Sequence, residues 1–134
     1  MSELNDDNIN KISKDDWDEL FQLIPEIENN STFGKNISEE NTFLWVSESE
    51  IVSKFRDVLF DKNIEIVFDW GNWKEGQDIL ENENSDYSKL DLMTLVKLIT
   101  SIVRNDRFST GYLVSKFEDG TILKILHRLN VIIN

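Results

Sequence analysis

Four residues near the end of the chain have the types and spacing for anion chemistry: Arg104, Asp106, Arg107 and Phe108. At a helix end, Arg104 and Arg107 stand three residues apart and can face the same way. Two guanidinium forks placed so could grip a carboxylate or a phosphate. The same residues have a structural reading. One arginine bridges to an acid such as Asp69 and ties the turn at 68–70 to the helix, while Phe108 plugs the core. Breaking a partly buried pair of that kind on one side costs roughly 3–5 kcal/mol. The residues alone leave both readings open.

Trp70 and Trp73 bracket Gly71-Asn72. An aromatic pair beside a tight turn can line a binding groove, or it can close the core of a small domain. His127 is the only histidine, so there is no catalytic triad and no two-histidine metal motif. Its expected place is at or near the surface, beside Arg128. Asp15, Asp16, Asp18 and Glu19 crowd the start of the first expected helix, where they favour the helix dipole. Asp61, Asn63 and Glu65 begin like a calcium loop. Ile66 then stands where Gly is required and Asn72 where Glu is required. No glycine-rich phosphate loop and no nucleophile elbow exists. No catalytic residue, metal site or cofactor is assigned.

The elements that must position these residues fit one domain. The 134 residues are 40% apolar and 30% charged, a globular balance. There is no cysteine, which excludes disulfide scaffolds, thiolate zinc sites and Cys nucleophiles. The N-terminus has no apolar signal-type core, and no apolar run is long enough to span a membrane. The expected location is cytoplasmic, with no membrane association. The triplets at Asn30 and Asn36 are then chance matches to a glycosylation signal. Residues 1–12 are expected to be a flexible acidic tail and 13–134 a single globular unit.

Apolar spacing predicts five or six helices. Ser13 caps the first, with Trp17, Leu20, Phe21 and Ile24 on one face, and Pro25 ends or kinks it. Residues 29–40 read as a loop. The run 42–46 is β-prone, and so is 64–68, so the expected fold is mostly α with room for one small two-stranded element pairing them. Ser47 and Glu50 read as a capping box for a helix through Ile51, Phe55 and Leu59. A short helix passes Glu75 and Leu80. Asp91 caps the helix bearing Leu92, Leu95, Val96, Ile99 and Val103. Ser109 caps the next, and Asp119-Gly120 stops it. Ile122, Ile125, Leu126 and Leu129 mark the last helix.

Phe68-Asp69-Trp70-Gly71-Asn72-Trp73 resembles an F-D-W-x-x-W signature. Residues 98–113 resemble L-L-T-x-x-x-R-x-D-R-F-x-x-G-x-L. The stretch Phe117 to Leu126 is similar to the segment that follows in the same family. That family is a set of small bacterial proteins classed as a domain of unknown function. The resemblance runs from about Trp17 to Leu129. It implies a bacterial source and a compact single domain, and it implies no activity.

Net charge is −12. That argues against direct nucleic-acid binding, which uses basic surfaces. Residues 1–87 carry 7 Lys/Arg and 22 Asp/Glu, a net of −15, whereas 88–134 carry 7 and 4, a net of +3. Either the halves neutralise each other or the first presents an acidic face. The leading expectation is a non-enzymatic protein-binding domain for a basic partner, of which an immunity protein or nucleic-acid mimic would be special cases. The alternative is a small-anion binder or enzyme using Arg104 and Arg107. Oligomeric state is not legible.

Overall fold

The structure, a computed structural model, describes residues 9–134. Of the expected tail, residues 1–8 lie outside the described residues. Ile9 is 2% exposed and Ile12 packs against the core, so the ordered unit reaches back at least to residue 9.

Helix α1 (Lys14–Phe21) starts where Ser13 Oγ accepts the backbone N–H of Asp16 at 3.1 Å. Helix α2 (Leu23–Glu28) follows after Gln22 alone. Pro25 has no N–H to offer the carbonyl of Phe21, so the helix kinks one turn upstream of it. The proline itself sits in the first turn of α2, where a missing donor is harmless. Trp17, Leu20, Phe21, Leu23, Ile24 and Ile27 face the core across the kink.

Strands β1 (Gly34–Glu39) and β2 (Thr42–Glu48) form an antiparallel hairpin. The expected partner of 42–46 was 64–68, and this pairing is corrected: the polar stretch read as a loop supplies the strand. Glu40 and Asn41, both at positive φ (51° and 67°), form the two-residue turn. Positive φ at both central positions matches the right-handed twist of a hairpin. Segment 64–68 instead runs extended over a helix. Its Ile66 N–H bonds Thr100 Oγ1 at 3.2 Å, not a strand. Ile64 and Ile66 are buried while Val67 is 73% exposed, which gives the β-like alternation without a sheet.

Helix α3 (Glu50–Asp61) begins after Ser49, because Ser47 is still in β2. The expected Ser47–Glu50 capping box therefore does not form. A single helical turn (Trp70–Asn72) leads into α4 (Lys74–Glu81), and a second turn (Tyr87–Lys89) leads into α5 (Leu92–Asn105). Counting α1 and α2 as one bent helix, the described residues hold six helices and one small two-stranded sheet.

Helix α5 is the centre of the fold. Asp91 Oδ1 accepts the Thr94 N–H at 2.8 Å and caps it. Leu95, Val96 and every residue from Leu98 to Val103 are buried, and α5 contacts α4, the Trp70 turn, α6 (Tyr112–Glu118) and α7 (Thr121–Ile133). A helix apolar nearly all round must be covered nearly all round. Thr100 survives there because its hydroxyl donates to Val96 O at 2.9 Å while accepting from Ile66. Thr100→Val keeps the shape and strands the Ile66 N–H. It is expected to lower unfolding free energy in urea by about 1–3 kcal/mol. Ser101→Ala, whose hydroxyl bonds nothing in the domain, is expected to change it little.

Gly111 (φ 88°) precedes α6 and Gly120 (φ 88°) precedes α7. A Cβ on Gly111 would also come within 2.8 Å of Val46 Cγ2, so the hairpin packs against a backbone position only glycine supplies. Ser109, the expected cap of α6, contributes only its carbonyl, to the N–H of Tyr112. Among the described residues no helix is long and apolar enough to cross a membrane.

Candidate functional site

The arginine cluster divides. Arg104 Nε lies 3.5 Å from Glu65 Oε1, on the extended segment beside α5. The expected bridge to Asp69 does not form. Asp69 is exposed and accepts from the Asn72 amide at 2.8 Å, closing its own turn. Arg107 is exposed, and its side chain has no hydrogen-bond or ion-pair partner among the described residues. Phe108, expected in the core, is 80% exposed. It lies three residues past the end of α5, and its ring tilts onto Trp70 at 6.0 Å between centroids.

Asp106 joins a network that sequence reasoning missed. Arg56 from α3 reaches Glu48 at the end of β2 (Nε–Oε1 2.9 Å, Nη2–Oε2 2.5 Å) and Asp106 Oδ2 (2.6 Å). Asp106 Oδ1 takes the Leu113 N–H at 2.9 Å, near the start of α6. Hydrogen bonding to Glu48 first, then the charges of Glu48 and Asp106, raises the Arg56 pKa above its ordinary value. One guanidinium thus pins the hairpin, α3 and the α5–α6 junction together. No local pattern announces it, since Arg56 and Asp106 are 50 residues apart.

The tryptophans also separate. Trp73 turns inward, edge-on to Phe68 at 5.5 Å, with Lys97 Nζ 5.7 Å over its ring. It is part of the core's rim. Trp70 turns toward α5 and α6. There it walls a pocket of ≈ 220 Å³ with Gln77 and Leu80 of α4, Ser101 and Asn105 of α5, and Tyr112 of α6. This is where the F-D-W turn meets the 98–113 stretch. Gln77 Nε2 donates to Gly71 O at 3.0 Å and holds the turn against α4. Burial first, and the Glu81 charge second, push the Tyr112 phenol above its ordinary pKa; its hydrogen bond to Asn105 opposes them.

His127 is exposed on α7, with Nε2 3.1 Å from Glu28 Oε2. Among the described residues no three His, Asp or Glu side chains gather closely enough to hold a metal ion.

The family model that matches residues 12–134 decides the relationship. The chain belongs to DUF6508, a family of unknown function. The match covers nearly all of the described domain, from Ile12 before α1 through α7, so the pocket and the Arg56 network both lie inside the family region. No curated protein and no solved structure matches the chain.

Proposed function

We propose that the chain is a non-enzymatic, cytoplasmic protein-binding domain that presents an acidic, aromatic face to a basic partner. The observation that carries this reading is the segment 69–86. It holds six acids, Asp69, Glu75, Asp78, Glu81, Glu83 and Asp86, all exposed, against the single cation Lys74. Lys74 is engaged by Asp78 at 3.3 Å. The same segment carries Trp70, on which the exposed Phe108 rests. Aromatic anchors ringed by charge are what a specific interface needs.

The neutralising alternative has little support in the contacts. Of the lysines and arginines after position 88, Arg104 alone makes a salt bridge to an acid of the first half among the described residues, and His127 adds a contact to Glu28. Three early cations are held by acids of the same half: Lys14 by Asp18, Lys54 by Glu26 and Lys62 by Glu19. Asp78 pairs with Lys74 and Asp86 lies within the field of Lys89 and Arg128, while Asp69, Glu75, Glu81 and Glu83 are exposed and make no salt bridge among the described residues. An anion clamp would have to take Arg104 from Glu65 first.

The test is a nuclease-treated pull-down from source lysate at low and moderate salt. The baits are the wild type, Asp69→Asn/Glu75→Gln/Glu81→Gln and Phe108→Ala. A stoichiometric basic protein is expected at low salt, lost at moderate salt because exposed charges are screened, and weakened by both variants. A partner indifferent to both variants, or none at all, would sink the reading. Thermal stabilisation by small anions that vanishes in Arg107→Ala would favour the clamp instead. At 100 times its dissociation constant an anion adds about 2.7 kcal/mol.

A further inference from the structure

The pocket behind Trp70 has one feature that packing leaves unexplained. Ser101 is 8% exposed, and its Oγ is buried without a hydrogen-bond partner. Serine elsewhere on a helix usually bonds back to a carbonyl, as Thr100 does here. Ser101 instead borders the pocket, one helical turn before Asn105, on a wall it shares with Trp70. A buried polar atom without a partner is costly, and one on a pocket wall can be satisfied by what enters.

The chemistry of the other walls narrows the occupant. Gln77 spends its Nε2 on Gly71 O, which leaves Oε1 to accept. Asn105 and Ser101 add further acceptor oxygens. Trp70 and Tyr112 offer aromatic rings. No cationic residue lines the pocket. Asp69 adjoins Trp70 and Glu81 adjoins Leu80 in sequence, and the Glu81 charge is felt at Tyr112. Arg104 adjoins Asn105 in sequence but is drawn to Glu65, and Lys116 stands 5.3 Å over the Tyr112 ring. It is held by Leu80 O at 3.1 Å and Asp119 at 3.3 Å. At ≈ 220 Å³ the space is smaller than the roughly 300–1,000 Å³ that drug-sized ligands fill. It suits the head of one side chain.

We propose that this pocket takes the guanidinium of an arginine side chain supplied by the basic partner. The proposal rests on the protein-binding reading above and names its anchor. A guanidinium is planar, has five donors and no acceptor, and stacks on aromatic faces. It therefore suits walls of oxygens and rings inside an acidic surround. A carboxylate or phosphate would find none of its usual cationic partners there.

The experiment is an NMR titration of the full chain with N-acetyl-arginine amide, against the neutral isostere N-acetyl-citrulline amide. The arginine probe is expected to shift the Trp70 indole N–H and the Asn105 and Gln77 side-chain amides. Citrulline should bind about tenfold more weakly, the scale of a desolvated cation–π contact. Ser101→Ala, which removes a hydroxyl that bonds nothing in the domain, should weaken arginine by about fivefold with the fold intact. Equal binding of both probes, shifts confined elsewhere, or no change in Ser101→Ala would overturn the proposal. The two readings fail separately. Arginine seated at the pocket with no protein captured keeps the guanidinium site and sinks the partner. A salt-sensitive partner captured by a protein whose pocket ignores arginine does the reverse.

Discussion

Asp106→Ala is expected to lower the unfolding free energy by about 2–4 kcal/mol, with Cm in urea shifting and m unchanged. Both oxygens of this carboxylate are committed. Oδ2 takes Arg56 Nη2 at 2.6 Å and Oδ1 takes the Leu113 N–H at 2.9 Å. Its side chain is only 15% exposed, so water replaces neither bond easily. Removing it leaves the guanidinium with Glu48 alone and strands a backbone donor. A fully buried one-sided break costs roughly 3–5 kcal/mol. The figure is discounted because the Arg56 side chain keeps 31% exposure. Arg104→Ala provides the contrast. Its contact to Glu65 is long, at 3.5 Å, and a third of its side chain is exposed, so about 0–1 kcal/mol is expected. If Arg104→Ala cost as much as Asp106→Ala, the organising role assigned to Arg56 and Asp106 would be wrong.

Phe117→Ala should cost about 3–5 kcal/mol in the same measurement, the usual range for emptying a phenylalanine site. Phe117 is 2% exposed and joins two other rings. Phe33, between α2 and the hairpin, lies 5.3 Å away, and Phe55 of α3 meets it edge-on at 5.2 Å. The three rings are how α6, α3 and the chain before the hairpin share one core. Phe117→Leu, which keeps most of the volume, should cost about 1–1.5 kcal/mol. Phe55→Ala/Phe117→Ala should be less destabilising than the sum of the singles by about 0.5–1.5 kcal/mol, because the edge-on contact is lost once. Strict additivity would mean that the rings pack independently.

Both results depend on contacts between residues far apart in the chain, and that explains what was legible beforehand. Helix α5 was plain in the sequence because its apolar stripe and the Asp91 cap are local features with a fixed period. The stops at Asn105 and Gly120, the cap at Ser13 and the short helix through Leu80 were plain for the same reason. Membership of a family of unknown function was legible too, since motif resemblance needs no coordinates.

The β pairing was not legible. Both 42–46 and 64–68 are short runs rich in β-branched and aromatic residues, and that composition reports β propensity, not hydrogen-bond partners. The tertiary structure gave the Ile66 N–H to Thr100 and let a polar stretch, Gly34–Glu39, become the second strand through a Glu40-Asn41 turn. The capping of α6 went the same way. Ser109 is the residue type that caps, yet Asp106 reached the Leu113 N–H from further back.

The site divides along the same line. Composition alone fixed the acidic character of 69–86, the lack of cysteine chemistry and the shortage of histidine. The grouping Arg104, Asp106, Arg107 and Phe108 was a sequence neighbourhood that the fold pulled apart: one side chain to Glu65, one to Arg56, and two to the surface. Trp70 and Trp73, three residues apart, meet different surroundings because Trp70 opens the helical turn while Trp73, at φ −88° and ψ 82°, has already left it. Only the packing of α4, α5 and α6 around that turn placed Ser101 beside Trp70 with its hydroxyl unsatisfied. A sequence records what each residue can bond; which bonds are left unmade is decided by the neighbours that the whole chain brings in.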